Sequence, residues 1–129
     1  MEAIIMTDTK QIAEILHEAV NEHGLLSTLY SVFGPRINFS IPMTSKTCDT
    51  PLDDMEFSVR ASNALKRAGM FQVRQIVDVI NQGELPRIRN LGKKTENEIG
   101  TRLLVFGYSH LSTPEQKAFL QDLVERNLL

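Results

Sequence analysis

The sequence predicts an all-α protein with a compact helical domain at its centre. Three observations lead to this fold class: apolar residues recur at helical spacing in successive stretches, glycines follow those stretches where a helix would end, and strand-like alternation is confined to residues 37–41. The chain has 129 residues, 42% of them hydrophobic, which allows one small domain with extensions.

Residues 1–48 predict a helical extension. Thr7 or Asp8 can cap a first helix that runs to about His23, and the apolar stretch 25–33 predicts a second. The two helices would form a hairpin. Their apolar stripes pack on each other or on the next domain, or form a surface for a homodimer.

The end of this extension has a different pattern. Ile37, Phe39 and Ile41 alternate with polar residues between two prolines, which predicts an extended segment and an edge strand. The polar, turn-rich residues 44–51 predict a linker, and Pro51 marks the domain boundary to within a few residues.

The central domain, residues 49–108, alternates helices with short corners. The corners around Gly69 and Gly92 resemble each other, which is a weak internal repeat. The predicted helices are 54–67, 71–83 with a stop at Gly83, a short helical turn at 84–90, and 94–107 with a stop at Gly107.

Residues 109–129 predict a C-terminal helix. Ser112 or Thr113 can cap it, and Pro114 suits its first position. Its apolar face would carry Leu120, Leu123 and Val124.

The charged side chains behind the net charge of −2 are unevenly distributed along the sequence. Residues 1–50 carry three basic and six acidic side chains, residues 51–107 nine and seven, and residues 108–129 two and three. The central part is therefore the only basic one, at +2. That charge alone is a weak indication of nucleic-acid binding, so the positions of the basic residues matter more.

The corner at Gly92 suits an anion. The first turn of a helix has N–H groups without intrahelical partners and a partial positive charge, and Lys93 and Lys94 add full charges there. Gly92 would let a phosphate approach the backbone closely, and Thr95 can donate its hydroxyl. The alternative is that Gly92 ends a short helix and that both lysines are solvated.

The helix before Gly69 has a polar face suited to the same ligand. Arg60, Asn63 and Arg67 share that face, and the small Ala64 separates it from the apolar one. Arg and Asn suit base edges, and Arg also suits phosphates. A solvated polar face is the alternative. The predicted core face carries Phe57, Ala61, Leu65 and Ala68.

Other chemistry finds no support in the sequence. The Gly-Lys pair lacks the P-loop glycine because Arg87 stands there, and residues 17–23 fail as a zinc-protease motif because Asn21 replaces the second histidine. Cys48 is the single cysteine, no Cys-His cluster exists, and no apolar window is long enough to span a membrane. We therefore expect a cytoplasmic, non-enzymatic protein without a cofactor, a metal or a membrane span.

Residues 51–107 closely resemble the C-terminal domain of the bacterial RNA polymerase alpha subunit. The resemblance is carried by LDDMEFSVR at 52–60, the N-x-L-K pattern at 63–66 and RNLGKKTENEI at 89–99. It implies a compact helical fold with two helix-hairpin-helix-like corners. It also implies binding to the minor groove of A·T-rich promoter DNA and contacts with activators and sigma factor.

Matching positions imply the residues of the site. The DNA contacts of the family fall on Arg60, Asn63, Ala64, Gly92, Lys94, Thr95 and Glu98, and its acidic patch facing sigma falls on Asp53, Asp54 and Glu56. We expect Glu98 to orient Lys or Arg partners, because a carboxylate beside a phosphate would be repelled.

Two departures shape the functional prediction. Residues 1–50 do not resemble the assembly domain of the alpha subunit, and the helix at 113–127 is an addition. The sequence therefore predicts a free-standing transcription protein that contacts A·T-rich promoter DNA and RNA polymerase, sigma or an activator. The alternatives are a decoy that binds the protein partners without DNA, and a helix-hairpin-helix accessory protein of repair or recombination.

Overall fold

The computed structural model of the protein describes residues 2–83 and 91–128, with side chains from residue 9 onward. These residues are mainly helical and contain no strand, which confirms the all-α class; Pro51 and Gln72 form an isolated bridge. Two compact units divide the protein: unit 1 falls within Met1–Phe39 and Leu111–Leu129, and unit 2 within Ser40–His110. The helices are α1 (Glu2–His23), α2 (Leu25–Phe33), α3 (Ser45–Cys48), α4 (Val59–Arg67), α5 (Val73–Asn81), α6 (Lys93–Ser109) and α7 (Thr113–Leu128).

Unit 1 is built from α1, α2 and α7, with α1 packed against both of the others. The interface of α1 and α7 contains a hydrogen bond of 2.9 Å between His17 Nε2 and Gln116 Oε1 and an ion pair of 3.4 Å between Lys117 and Glu14. The predicted apolar face of α7 is buried in this unit: Leu120, Leu123 and Val124.

The ends of these helices test the predicted caps. α7 begins as predicted, because Ser112 Oγ accepts the Glu115 N–H at 3.3 Å and the Glu115 carboxylate accepts the Ser112 N–H at 2.8 Å. The bond from the Ser112 N–H, together with a hydrogen bond from the Ser112 side chain, holds the pKa of the Glu115 carboxyl group below its usual value. The predicted cap of α1 is wrong: Thr7 and Asp8 lie inside a helix that begins at Glu2. Both residues disfavour a helix interior only weakly.

The predicted edge strand is wrong. Residues 37–44 belong to no strand or helix, and the Ile41 N–H donates to Asn81 Oδ1 at 3.2 Å rather than to a neighbouring strand. The predicted linker at 44–51 contains α3, which Thr44 caps and which packs against α5. These residues are therefore already part of unit 2.

Unit 2 has its core between α4, α5 and α6, where Leu65, Ile76, Ile99 and Leu103 are fully buried. A left-handed Gly69, with φ of 82°, closes α4. The Met70 N–H bonds to the Leu65 carbonyl and the Gly69 N–H to the Lys66 carbonyl, each at 3.0 Å. The predicted stop of α4 is confirmed. The predicted turn at 84–90 lies outside the described residues.

The predicted start of α4 is wrong. α4 begins at Val59 rather than Asp54, because a 3₁₀ turn at Leu52–Met55 ends in a left-handed Glu56. Phe57 precedes the observed start of α4 and is only half-buried, and Ala68, the C-cap residue, is exposed, so neither is the core residue that was predicted.

The predicted stop of α6 at Gly107 is also wrong, because the helix continues to Ser109. Gly107 is buried, and a Cβ atom there would lie inside 3.0 Å of the Pro42 carbonyl oxygen. Glycine is therefore required at this position because two backbone segments approach closely there, and not because a helix ends there. Among the described residues, no helix is long and apolar enough to cross a membrane.

Candidate nucleic-acid interface

The start of α4 is tied to α6 by a carboxylate. Ser58 caps α4, its Oγ accepting the Ala61 N–H at 3.2 Å. Glu98, on the second turn of α6, accepts the Ser58 N–H and the Ser58 hydroxyl, each at 2.8 Å. The two elements that the sequence selected as DNA-facing are therefore held together at one point.

The polar face of α4 is open to solvent. Arg60, Asn63 and Arg67 are exposed, while Ala61 and Leu65 on the opposite side are fully buried. α4 therefore packs on unit 2 through one side and leaves the predicted DNA-facing side uncovered.

The first turn of α6 is also open. Gly92 is its N-cap, no side chain among the described residues caps the helix, and Lys93 and Lys94 are exposed. The first intrahelical bond joins the Glu96 N–H to the Gly92 carbonyl at 2.9 Å, so the N–H groups of residues 93–95 have no intrahelical carbonyl to bond. This arrangement can bind an anion through backbone donors and two cations.

Neither the backbone nor the packing requires glycine at position 92. Its φ of −75° is open to any residue, and an added Cβ atom would meet no atom of the described residues within 4 Å. The described residues therefore leave the space around its α carbon open to an approaching ligand.

Two of the predicted contact residues face the core. Ala64 is 3% exposed and Thr95 is 6% exposed. In this structure the Ala64 methyl fills the packed side of α4. The part of Thr95 that remains suited to an anion is its backbone N–H group.

The acidic patch lies on the 3₁₀ turn before α4. Asp53, Asp54 and Glu56 are exposed. Asp53 pairs with Lys66 at 3.0 Å. Two large apolar side chains of the same unit are more than half exposed to solvent, Val59 at 76% and Phe71 at 57%.

The partner of Glu98 differs from the expected one. Among the described residues its hydrogen-bond partner is Ser58, rather than a lysine or arginine. Sequence reasoning missed Ser58 because it placed that residue inside a helix. The signal that could have found it was the strong preference for serine as an N-cap, here immediately before Val59.

Fold and site together define a small helical domain that presents an arginine–asparagine helix face beside a lysine-rich helix start. The family of the C-terminal domain of the bacterial RNA polymerase alpha subunit matches residues 40–104, about half of the protein and nearly the extent of unit 2. The protein belongs to this family.

Curated relatives are similar over the same region. DNA-directed RNA polymerase subunit alpha of Symbiobacterium thermophilum is 37% identical over 65 residues, covering 50% of this protein and 20% of the relative. That of Rubrobacter xylanophilus is 40% identical over 63 residues, covering 49% and 20%. That of Malacoplasma penetrans is 50% identical over 48 residues, covering 37% and 14%. The match thus spans about a fifth or less of these relatives, and no solved structure matches the protein.

Proposed function

We propose that this protein is a cytoplasmic, non-enzymatic transcription protein that binds A·T-rich promoter DNA through α4 and the first turn of α6. The observation that carries the proposal is the pair of hydrogen bonds from Ser58 to Glu98. These bonds fix the start of the arginine–asparagine face relative to the lysine-rich helix start. One rigid surface can then contact a base edge and a phosphate at the same time.

The chemistry of α4 favours the minor groove of A·T-rich DNA. A narrow A·T-rich minor groove has an enhanced negative potential that favours an inserted arginine. Arg60 is exposed at the second position of α4, and Asn63 follows one turn later on the same face. We assign groove insertion to Arg60 and a base-edge or sugar contact to Asn63.

The first turn of α6 would hold a backbone phosphate. The uncapped N–H groups and Lys94 supply the donors, and the open space at Gly92 admits the phosphate. Contacts of this kind fix the position of a protein on DNA without reading its sequence.

The acidic patch on the 3₁₀ turn before α4 supports a protein partner. Asp54 and Glu56 are exposed and, unlike Asp53, make no ion pair with a described residue. We assign this surface to RNA polymerase, sigma factor or an activator, by analogy with the family. Self-association through unit 1 stays a prediction, which light scattering on the full-length protein would test.

Fluorescence anisotropy with labelled A·T-rich and G·C-rich duplexes tests the DNA contact. We expect Arg60→Ala to weaken binding to the A·T-rich duplex by about 1–3 kcal/mol. Lys94→Ala should weaken binding to both duplexes alike and reduce the log–log salt slope by about one. Lys46→Ala, at an exposed lysine of α3, is the matched control and should change neither quantity.

Each alternative function predicts a different outcome. Absence of binding at about 50 mM salt would remove the DNA contact and leave a decoy for protein partners. A preference for nicked or branched duplexes over intact A·T-rich DNA would favour the repair or recombination protein. Circular dichroism on each variant shows whether the fold is retained.

A further inference from the structure

Two neighbouring cations at the end of α4 have different surroundings. Lys66 Nζ lies 3.0 Å from Asp53 Oδ1, so its charge is engaged by a carboxylate. Arg67 is exposed and makes no ion pair with any described residue. It lies on the polar face with Arg60 and Asn63 rather than on the side of the acidic turn.

The spacing of the two arginines suits a groove and its edge. Seven residues of α-helix turn almost two full circles and advance about 10.5 Å, so Arg60 and Arg67 lie nearly in line along α4. The minor groove is about 6 Å wide. A helix that inserts Arg60 into the groove would therefore bring Arg67 to the phosphates beyond the edge of the groove.

We propose that Arg67 is a second DNA-contacting arginine of α4, one that binds a backbone phosphate and fixes how the helix lies across the groove. This inference rests on the proposed function. Asn63 would then lie between two anchored arginines, and Lys66 would take no part because it lies off the polar face of α4, beside Asp53.

A purely structural role for Arg67 has a different signature. A cation in the last turn of a helix also interacts favourably with the carbonyl end of that helix. Loss of that interaction would lower the stability of unit 2 and leave the salt dependence of DNA binding unchanged. The log–log salt slope therefore separates the two roles, since it reports the number of neutralised phosphates.

The test compares Arg67→Ala with Lys66→Ala in the full-length protein, on the same A·T-rich and G·C-rich duplexes. If Arg67 binds a phosphate, Arg67→Ala at about 50 mM salt should weaken binding about tenfold and reduce the salt slope by about one, equally on both duplexes. Lys66→Ala should bind within about twofold of the wild type, since it removes the same charge from a residue that lies off the polar face of α4, beside Asp53. Arg67→Lys should restore the salt slope, because a phosphate accepts a point charge.

Arg60→Ala in the same experiment separates the two proposals. If Arg60→Ala weakens binding and Arg67→Ala behaves like Lys66→Ala, Arg67 does not bind DNA and the proposed function stands. If neither Arg60→Ala nor Arg67→Ala weakens binding, α4 does not face DNA and both proposals are overturned. A weakening confined to the A·T-rich duplex for Arg67→Ala would also overturn the phosphate assignment, since phosphates are present in both duplexes.

Discussion

Replacing Glu98 with alanine should have two effects on DNA binding, and these effects have opposite signs. The carboxylate carries a negative charge close to the proposed DNA surface, so its removal should strengthen binding by charge alone. At about 10 Å in water that effect is about 0.4 kcal/mol, or about twofold in affinity. The same carboxylate holds both donors of Ser58, so its removal should also release the start of α4.

The structure indicates that the second effect wins. Glu98→Ala removes two hydrogen bonds, each worth about 0.5–1.5 kcal/mol, and the lower half applies because Ser58 is exposed and water can replace Glu98. We expect a loss of about 1–2 kcal/mol in the free energy of unfolding of unit 2. Since Arg60 lies two residues after Ser58, we also expect weaker DNA binding, by about fivefold, or about 1 kcal/mol.

Glu96→Ala is the matched control for this experiment. Glu96 lies on the same helix and carries the same charge, but makes no hydrogen bond to α4 among the described residues. Anisotropy should show Glu96→Ala binding DNA as tightly as the wild type or tighter, and Glu98→Ala binding more weakly. Glu98→Gln, which keeps an acceptor oxygen, should fall in between. If Glu98→Ala also binds more tightly, Glu98 does not position α4.

Two further predictions concern the core of unit 2. In chemical denaturation, Gly107→Ala should lower the free energy of unfolding by about 1–3 kcal/mol because its methyl would meet the Pro42 carbonyl. Gly100→Ala should raise it by up to about 1 kcal/mol, because no atom of the described residues lies within 4 Å of the added methyl group. Burial raises the pKa of Tyr108 to about 12. The unfolded protein loses that proton first, so the stability should fall as the pH rises from about 10 to about 12, and Tyr108→Phe should lack this step.

Local sequence signals correctly predicted the helix ends that depend only on neighbouring residues. α7 begins where Ser112 and Glu115 form a capping box, and α4 ends where Gly69 adopts a left-handed conformation. These features need only a few neighbouring residues, so a single sequence contains the necessary information. The polar face of α4 and the basic start of α6 were predicted for the same reason, since the first follows from helical spacing and the second from consecutive residues.

Two of the errors accompany contacts with residues far away in the sequence. The stretch before Ser58 could extend a helix by its own propensity, but the bond from Ser58 to Glu98, 40 residues away, accompanies a start at Val59. Gly107 resembles a helix stop in sequence, and only the approach of Pro42 explains why it lies inside α6. No local pattern contains either contact. For the same reason the sequence could not show that Glu98 joins α6 to α4.

The pairing of charges in unit 2 explains how a domain of modest net charge could bind DNA. Residues 51–107 carry nine basic and seven acidic side chains, a net charge of +2. Two of the acids near α4 are engaged within the unit, Asp53 by Lys66 and Glu98 by Ser58. The cations that make no ion pair with a described residue include both those of the polar face of α4 and those at the start of α6: Arg60, Arg67, Lys93 and Lys94. An approaching phosphate would meet these four charges at short range, where Coulomb energy is greatest, with one acid, Glu96, beside them in the first turn of α6. The affinity of such a surface would depend on where its charges lie more than on their sum.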